Sequence, residues 1–99
     1  MYAVIFRATA GQPDQDYHDM VDKLRELAFS RYGCRDFVAL TEGDREIAIS
    51  YWDDQESIRA WKNDPEHSLA QRRGQEDWYR GYSVQVVEIL REYQVGEPV

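Results

Sequence analysis

One cysteine, two histidines and three prolines in 99 residues remove several classes of protein at once. Cys34 has no partner for an internal disulfide, so a small disulfide-stapled scaffold is excluded. With so few His and Cys, a metal site would need carboxylates from several elements, and no spacing here supports one. The run of roughly 18 or more apolar residues that a spanning helix needs is missing, so a membrane is not an expected partner. The opening MYAVIFRATA lacks the basic n-region and small-residue cleavage site of a signal peptide, and with the lone thiol this points to the cytoplasm. Basic charge is scarce too: 12 Lys and Arg against 19 Asp and Glu give −7, and no basic cluster exists beyond Arg72–Arg73. Nucleic acid and anionic lipid are therefore disfavoured partners. Also absent are G-x-G-x-x-G, a Walker A loop, G-x-S-x-G and C-x-x-C, which removes dinucleotide, nucleotide triphosphate, serine-hydrolase and zinc-ribbon readings.

What is present is one domain, residues 1–99, built of periodic segments. A chain this short buries a modest share of its surface, so contact with another copy would help it. Tyr2, Val4 and Phe6 alternate with Ala3, Ile5 and Arg7, the pattern of a strand apolar on one face and mostly apolar on the other. Tyr17, Met20, Val21, Leu24, Leu27 and Ala28 recur at three- and four-residue spacing, which predicts an amphipathic helix ended by Gly33. Strands follow over Asp36–Thr41 and Arg45–Trp52, joined through Glu42-Gly43-Asp44 as an antiparallel hairpin. Asp53 and Glu56 stand as N-cap and N3 of a capping box, starting a short helix that carries Ile58 and Trp61. Asp64 then Pro65 start another, whose inward stripe runs His67, Ala70, Gln71, Gly74, Trp78 and Tyr82. A last strand, Ser83 to Tyr93, is apolar on both faces, and residues 94–99 read as a loose tail.

The order β-α-β-β-α-β, with the second helical segment split in two, is an α+β ferredoxin-like pattern with an antiparallel sheet. Helices cover one face of such a sheet. Because the first and last strands are apolar on both sides, the bare face is expected to pack on the sheet of a second copy, giving a homodimer.

From its YAVIFRA strand to its YSVQVVEILREY strand, the chain resembles the antibiotic biosynthesis monooxygenase domain of the dimeric α/β-barrel superfamily. The most specific stretch is YW-DDQES-IRAW-KNDPEH-SLAQRRG, where a strand-ending aromatic, a capped turn, a Trp and a Pro-x-His follow in the family's order. The resemblance implies a dimeric α/β barrel and one of several activities. One branch, typified by anthrone oxygenases, oxidises phenols to quinones with dioxygen and neither metal nor flavin; a second oxidises quinols. A third, IsdG-like, binds and degrades haem with an Asn on the first strand, a Trp on the middle helix and an iron-ligating His. Trp61 matches that Trp, but Gln71 stands where the ligating His belongs and Phe6 and Arg7 where the Asn belongs. Haem is accordingly the alternative. In the anthrone branch the pocket Trp again matches Trp61, while its Tyr falls on His67 and its Asn on Ser57.

Oxygenation without a cofactor requires a phenolic or carbon-bound proton to be taken and the anion held beside dioxygen in a dry pocket. His67, at N3 of its helix, lies near the positive end of the helix dipole, which keeps the imidazole in the neutral form a catalytic base requires. Trp61 would supply an aromatic wall and an indole N–H for an oxygen. Tyr51, Ser57, Gln71, Trp78 and Tyr82 complete the expected substrate-binding set. Each has a plainer reading, His67 as a cover for the first helical turn and the aromatics as core. Thirteen aromatics exceed what a small core needs, which favours an aromatic-lined cavity. Arg7 would pair with a carboxylate such as Glu88, the Arg72–Arg73 run is a solvated face, His18 sits on a polar side, and Cys34 is a small buried hydrophobe. The expected function is cofactor-independent monooxygenation of a small aromatic or quinol-like compound. A non-catalytic holder of a hydrophobic ligand or haem, and a purely structural dimeric module, are the alternatives.

Overall fold

The computed structural model describes all residues 1–99. Strands β1 (Tyr2–Ala10), β2 (Asp36–Glu42), β3 (Arg45–Trp52) and β4 (Tyr79–Glu88) form one antiparallel sheet in the order β2-β3-β1-β4. Helices α1 (Gln15–Arg31), α2 (Gln55–Lys62) and α3 (Pro65–Arg73) cover one face, and α3 runs on into a single π-helical turn, Gly74–Trp78. This is the expected α+β ferredoxin-like order, with the second helical segment divided.

Side chains alternate across a sheet, so register decides what each residue meets. Val4 stands opposite Ser50 and Val86, and Phe6 opposite Ala48 and Val84. With Phe37 opposite Ser50 and Ala39 opposite Ala48, these residues share the helix-covered face. On that face Val4, Ala28, Cys34, Trp52, Ile58 and Trp61 form the core cluster. Trp52 is fully buried, and its indole N–H donates to Ser50 Oγ at 2.8 Å, so the large ring goes inside with its polar atom satisfied. The other face presents Ile5, Val38, Leu40, Ile47, Ile49, Tyr51 and Val87, with Leu40 73% exposed.

Each helix begins on an aspartate. Asp14 accepts from the Tyr17 N–H at 2.9 Å, and α1 ends at Tyr32 with Gly33 following at φ +77°, the left-handed residue expected there. Asp54, not Asp53, caps α2, accepting from the Ser57 N–H at 2.7 Å. Both aspartates have suitable spacing, but Asp53 is held by Arg35 at 2.9 Å and is turned to that partner. Asp64 caps α3 through the Glu66 N–H at 2.9 Å and also accepts from the Tyr32 hydroxyl at 2.6 Å. The Tyr32 hydrogen bond, with the Glu66 N–H, holds the Asp64 carboxyl below the usual carboxylate range.

Two boundaries differ from expectation. The last helix stops at Trp78, and β4 begins at Tyr79, because the Tyr79 N–H bonds to Gly74 O and β4 then pairs with β1 from Tyr79 opposite Ala10. Tyr82 thus belongs to a strand. At the other end β4 stops at Glu88 instead of continuing to Tyr93, since its sole neighbour β1 starts at Tyr2 and the last bond, Ile89 N–H to Met1 O, exhausts it. Glu88 lies opposite Tyr2 while Arg7 lies opposite Ser83, so their expected pairing does not form.

Trp52 and Tyr51 are adjacent in sequence and on opposite faces. Trp52→Ala should cost about 3–5 kcal/mol, the range for emptying a large core site, and Tyr51→Ala about 1 kcal/mol or less, both read from urea unfolding.

Candidate functional site

Small side chains on the covered face leave a gap between sheet and helices. Val4 and Phe6 of β1, Ala48 and Ser50 of β3 and Tyr82, Val84 and Val86 of β4 make its floor. Met20, Val21 and Leu24 of α1, Ile58 and Trp61 of α2, and His67, Ala70, Gln71, Gly74 and Trp78 make its roof. The cavity is about 220 Å³, and its lining is mostly hydrophobic. Gly74 allows close approach: a methyl group there would sit 3.1 Å from the Tyr79 ring, tighter than an ordinary contact.

His67 is the third residue of α3 and lines the cavity. Its ring meets Trp61 edge-on, with centroids 4.6 Å apart. Burial holds its pKa below the ordinary histidine value, and the nearby Lys62 cation adds to that while Asp64 opposes it. The imidazole is thus neutral at pH 7. Its Nδ1 is buried with no hydrogen-bond partner, a state that costs about 1–3 kcal/mol for a polar atom.

Trp61 combines both of its expected roles, as it belongs to the core cluster and also walls the cavity. Its indole N–H, however, donates to Leu24 O at 3.1 Å, so the donor foreseen for an oxygen is engaged with α1. Trp78 is 2% exposed and donates to Asp14 Oδ1 at 3.2 Å, with the Arg73 guanidinium 4.9 Å above its ring. Gln71 and Tyr82 also line the cavity, and the Tyr82 hydroxyl accepts from the Gln75 amide at 3.2 Å.

Two of the expected binding residues are elsewhere. Tyr51 stands opposite Ala3 and Asp36 on the uncovered face, since its odd position on β3 opposes the parity of Ser50 and Trp52. Ser57 is in the first turn of α2, with its N–H bonded to the Asp54 cap, and does not reach the cavity.

Residues that sequence reasoning did not single out close the end of the cavity away from His67. Glu46 projects from β3, and the buried Tyr17 hydroxyl of α1 donates to it. Burial first, then that bond, raise the Tyr17 pKa above its ordinary value. Tyr79 beside them is pushed up to about 12, chiefly by burial. The available signal was parity: Glu46 shares the phase of Ala48, Ser50 and Trp52, a carboxylate on the inward side of a strand. No group of three or more His, Cys, Asp or Glu side chains is placed to hold a metal ion, and no helix is long and apolar enough to cross a membrane.

Residues 1–73 match the family described as antibiotic biosynthesis monooxygenase. No curated protein matches the chain. Among solved structures, Rv0793 from Mycobacterium tuberculosis is similar with a TM-score of 0.77 at 18% identity, over 94% of this chain and 98% of that one. SnoaB, a cofactor-independent oxygenase from Streptomyces nogalater, is similar with a TM-score of 0.75 at 12% identity, over 92% and 94% of the two chains. PA3566 from Pseudomonas aeruginosa gives 0.65 at 18% identity, over 91% and 94%. At these identities the likeness is one of fold.

The neutral imidazole has a thermodynamic consequence. An unfolded chain protonates His67 near the ordinary value of about 6.5, whereas the folded chain resists protonation until lower pH. Between these values the unfolded state binds more protons, so the stability from this group is complete above about pH 6.5 and is lost as pH falls through the folded pKa. Urea unfolding at pH 7.5 and 5.5 should show a drop for the wild type that is smaller in His67→Phe.

Proposed function

The chain belongs to the antibiotic biosynthesis monooxygenase family, and from that membership and the cavity we propose that it is a cofactor-independent monooxygenase acting on a small aromatic or quinol-like compound. The observation that carries this reading is the neutral, unpartnered imidazole of His67 set in an apolar cavity beside Trp61. The fold it shares with SnoaB, a cofactor-independent oxygenase, supports the same direction.

In this scheme a phenol or activated C–H group lies against Trp61 and gives its proton to His67. The resulting anion passes one electron to dioxygen, and the substrate radical and superoxide combine to form a C–O bond. Where the carbon began as CH₂, loss of water from the hydroperoxide leaves a carbonyl. One oxygen atom ends in product and the other in water, and the electrons come from the two C–H bonds of the substrate, so no further reductant is needed. The apolar walls keep bulk water from the anion. Lys62, which lines the cavity near His67, supplies positive charge on the side where the anion forms.

The volume bears on the ligand. About 220 Å³ is below the roughly 300–1,000 Å³ typical of drug-sized sites and suits a compound of two or three fused rings better than a porphyrin. Holding a hydrophobic ligand or haem without turnover is the alternative use of this cavity.

The partner most consistent with the uncovered face is a second copy of the chain. Only 13 of 99 residues are buried, which leaves a large apolar area for an interface to remove from water. Val38, Leu40, Ile47 and Val87 stand exposed on that face, and a homodimer through it would bury them. The free thiol of Cys34 suits a cytoplasmic setting.

Dioxygen uptake with a panel of hydroquinones, anthrones and naphthols should exceed autoxidation for at least one compound and fall by about 10²-fold in His67→Ala. Uptake at the autoxidation rate for every compound would reject turnover. Analytical ultracentrifugation should give twice the chain mass, and Ile47→Lys should shift the population to monomer.

A further inference from the structure

The role given to His67 leaves the opposite end of the cavity unused, and that end holds a carboxylate. Ser50 and Glu46 both line the cavity from β3, four residues apart, a rise of about 13 Å. Ser50 lies at the end with Trp52 and Trp61, and Glu46 at the end with Tyr17, Tyr79 and Tyr82. Glu46 stands on the inward face, opposite Ala8 and Thr41, where a strand ordinarily places an apolar residue.

The carboxylate is half-buried and has few protein partners. The Tyr17 hydroxyl donates to one oxygen and is the single hydrogen-bond donor that Glu46 has. Glu46 takes part in none of the chain's ion pairs. A carboxylate offers about four acceptor positions, so the half-buried Glu46 keeps acceptor capacity that a ligand at this end of the cavity could use. The burial of Tyr17, which keeps its phenol protonated, makes it a permanent donor that fixes the carboxylate's direction. Phe6, Tyr79 and Tyr82 surround this end with ring centroids 5.4–5.8 Å apart, so a flat ligand reaching Glu46 would meet aromatic faces and edges.

We propose that Glu46 is a ligand-binding residue that accepts a hydrogen bond from a hydroxyl at the end of an aromatic ligand remote from His67, with Tyr17 as its positioning residue. The ligand class is a planar aromatic diol with oxygens at opposite ends, one for His67 and one for Glu46. An anionic group at the Glu46 end is rejected by charge. This inference rests on the cavity being the seat of an aromatic ligand, as proposed above, and not on oxidation taking place.

The test is anaerobic titration of the full chain, followed by tryptophan fluorescence, with 2,6-dihydroxynaphthalene, 2-naphthol and 6-hydroxy-2-naphthoic acid. The wild type should bind the diol about tenfold more tightly than the mono-ol, the effect of one hydrogen bond to a charged acceptor, and should bind the naphthoate least. The double variant Tyr17→Phe/Glu46→Leu removes donor and acceptor together, leaves neither unpaired, and should lose the preference for the diol. Glu46→Gln, close to isosteric, should recover binding of the naphthoate. Equal affinity for diol and mono-ol in the wild type, a preference that survives in the double variant, or no saturable binding of the diol would each overturn the proposal. A diol preference without dioxygen uptake would reject the oxygenase reading and leave the role of Glu46 standing; uptake without the preference would do the reverse.

Discussion

The central strand β1 is hydrogen-bonded along both edges, to β3 and to β4, and this double pairing sets the side of the sheet on which each neighbouring residue falls. A slip of one residue in either ladder would exchange the two faces of that strand. Slippage is opposed by the unlike demands of the faces. Trp52 and Ser50 form a buried hydrogen-bonded pair on the inward side, while Arg7, Arg45 and Gln85 have the outward phase. The cavity is a consequence of that choice, because the inward phase also brings Ala48, Ser50 and Glu46 under the helices.

Around the cavity, the polar and apolar atoms of the same residues have different partners. Trp61 spends its N–H on the Leu24 carbonyl and leaves its ring to the cavity. Trp78 does the same through Asp14, which also caps α1. These hydrogen bonds anchor the walls and fix the aromatic surface of the cavity in place, so a molecule bound there would require little further ordering of it. Asp64 serves His67 in a similar way. By capping α3 and receiving the Tyr32 hydroxyl, it ties the start of that helix to the end of α1 and holds the imidazole against Trp61.

Much of this was legible in the sequence where a local rule and the tertiary structure agree. The stripe of α1, the hairpin between β2 and β3 and the Asp64-Pro65 start of α3 each depend on interactions within a few residues. Departures occur where a distant partner decides. Arg35 captures Asp53, so the cap passes to Asp54. The end of β1 at Tyr2 stops β4 at Glu88, whatever the apolar pattern of residues 89–93. Tyr82 reaches the cavity as expected, but from a strand, because the π turn changes the phase after Gly74 and i, i+4 spacing no longer applies. Tyr51 has the wrong parity for the cavity, and Glu46 has the right one; alternation alone contains both facts once Trp52 is assigned to the inside. For His67 the helix position was legible and the burial was not: desolvation in a site shared with Trp61 is the largest influence that lowers its pKa.

The helix layer does not close the cavity completely. Val84 and Val86 line it from β4 and yet are 51% and 49% exposed, so it opens along that edge strand. The same strand is where the fold runs out of partners, and beyond it Leu90, Tyr93 and Val95 are 86–88% exposed. Apolar rim and apolar tail follow from one topological fact, that β4 lies at the edge with a single neighbour that ends before the tail begins. The charges of this edge, Arg80 and Glu88, stand at the two ends of β4, and its middle, Gly81 to Val87, has neither a charge nor a proline of the kind that natural edge strands use to prevent pairing. The open side of the cavity and the unpaired edge of the sheet therefore coincide, so any molecule that paired with β4 would also stand at the mouth of the cavity that His67 and Glu46 line.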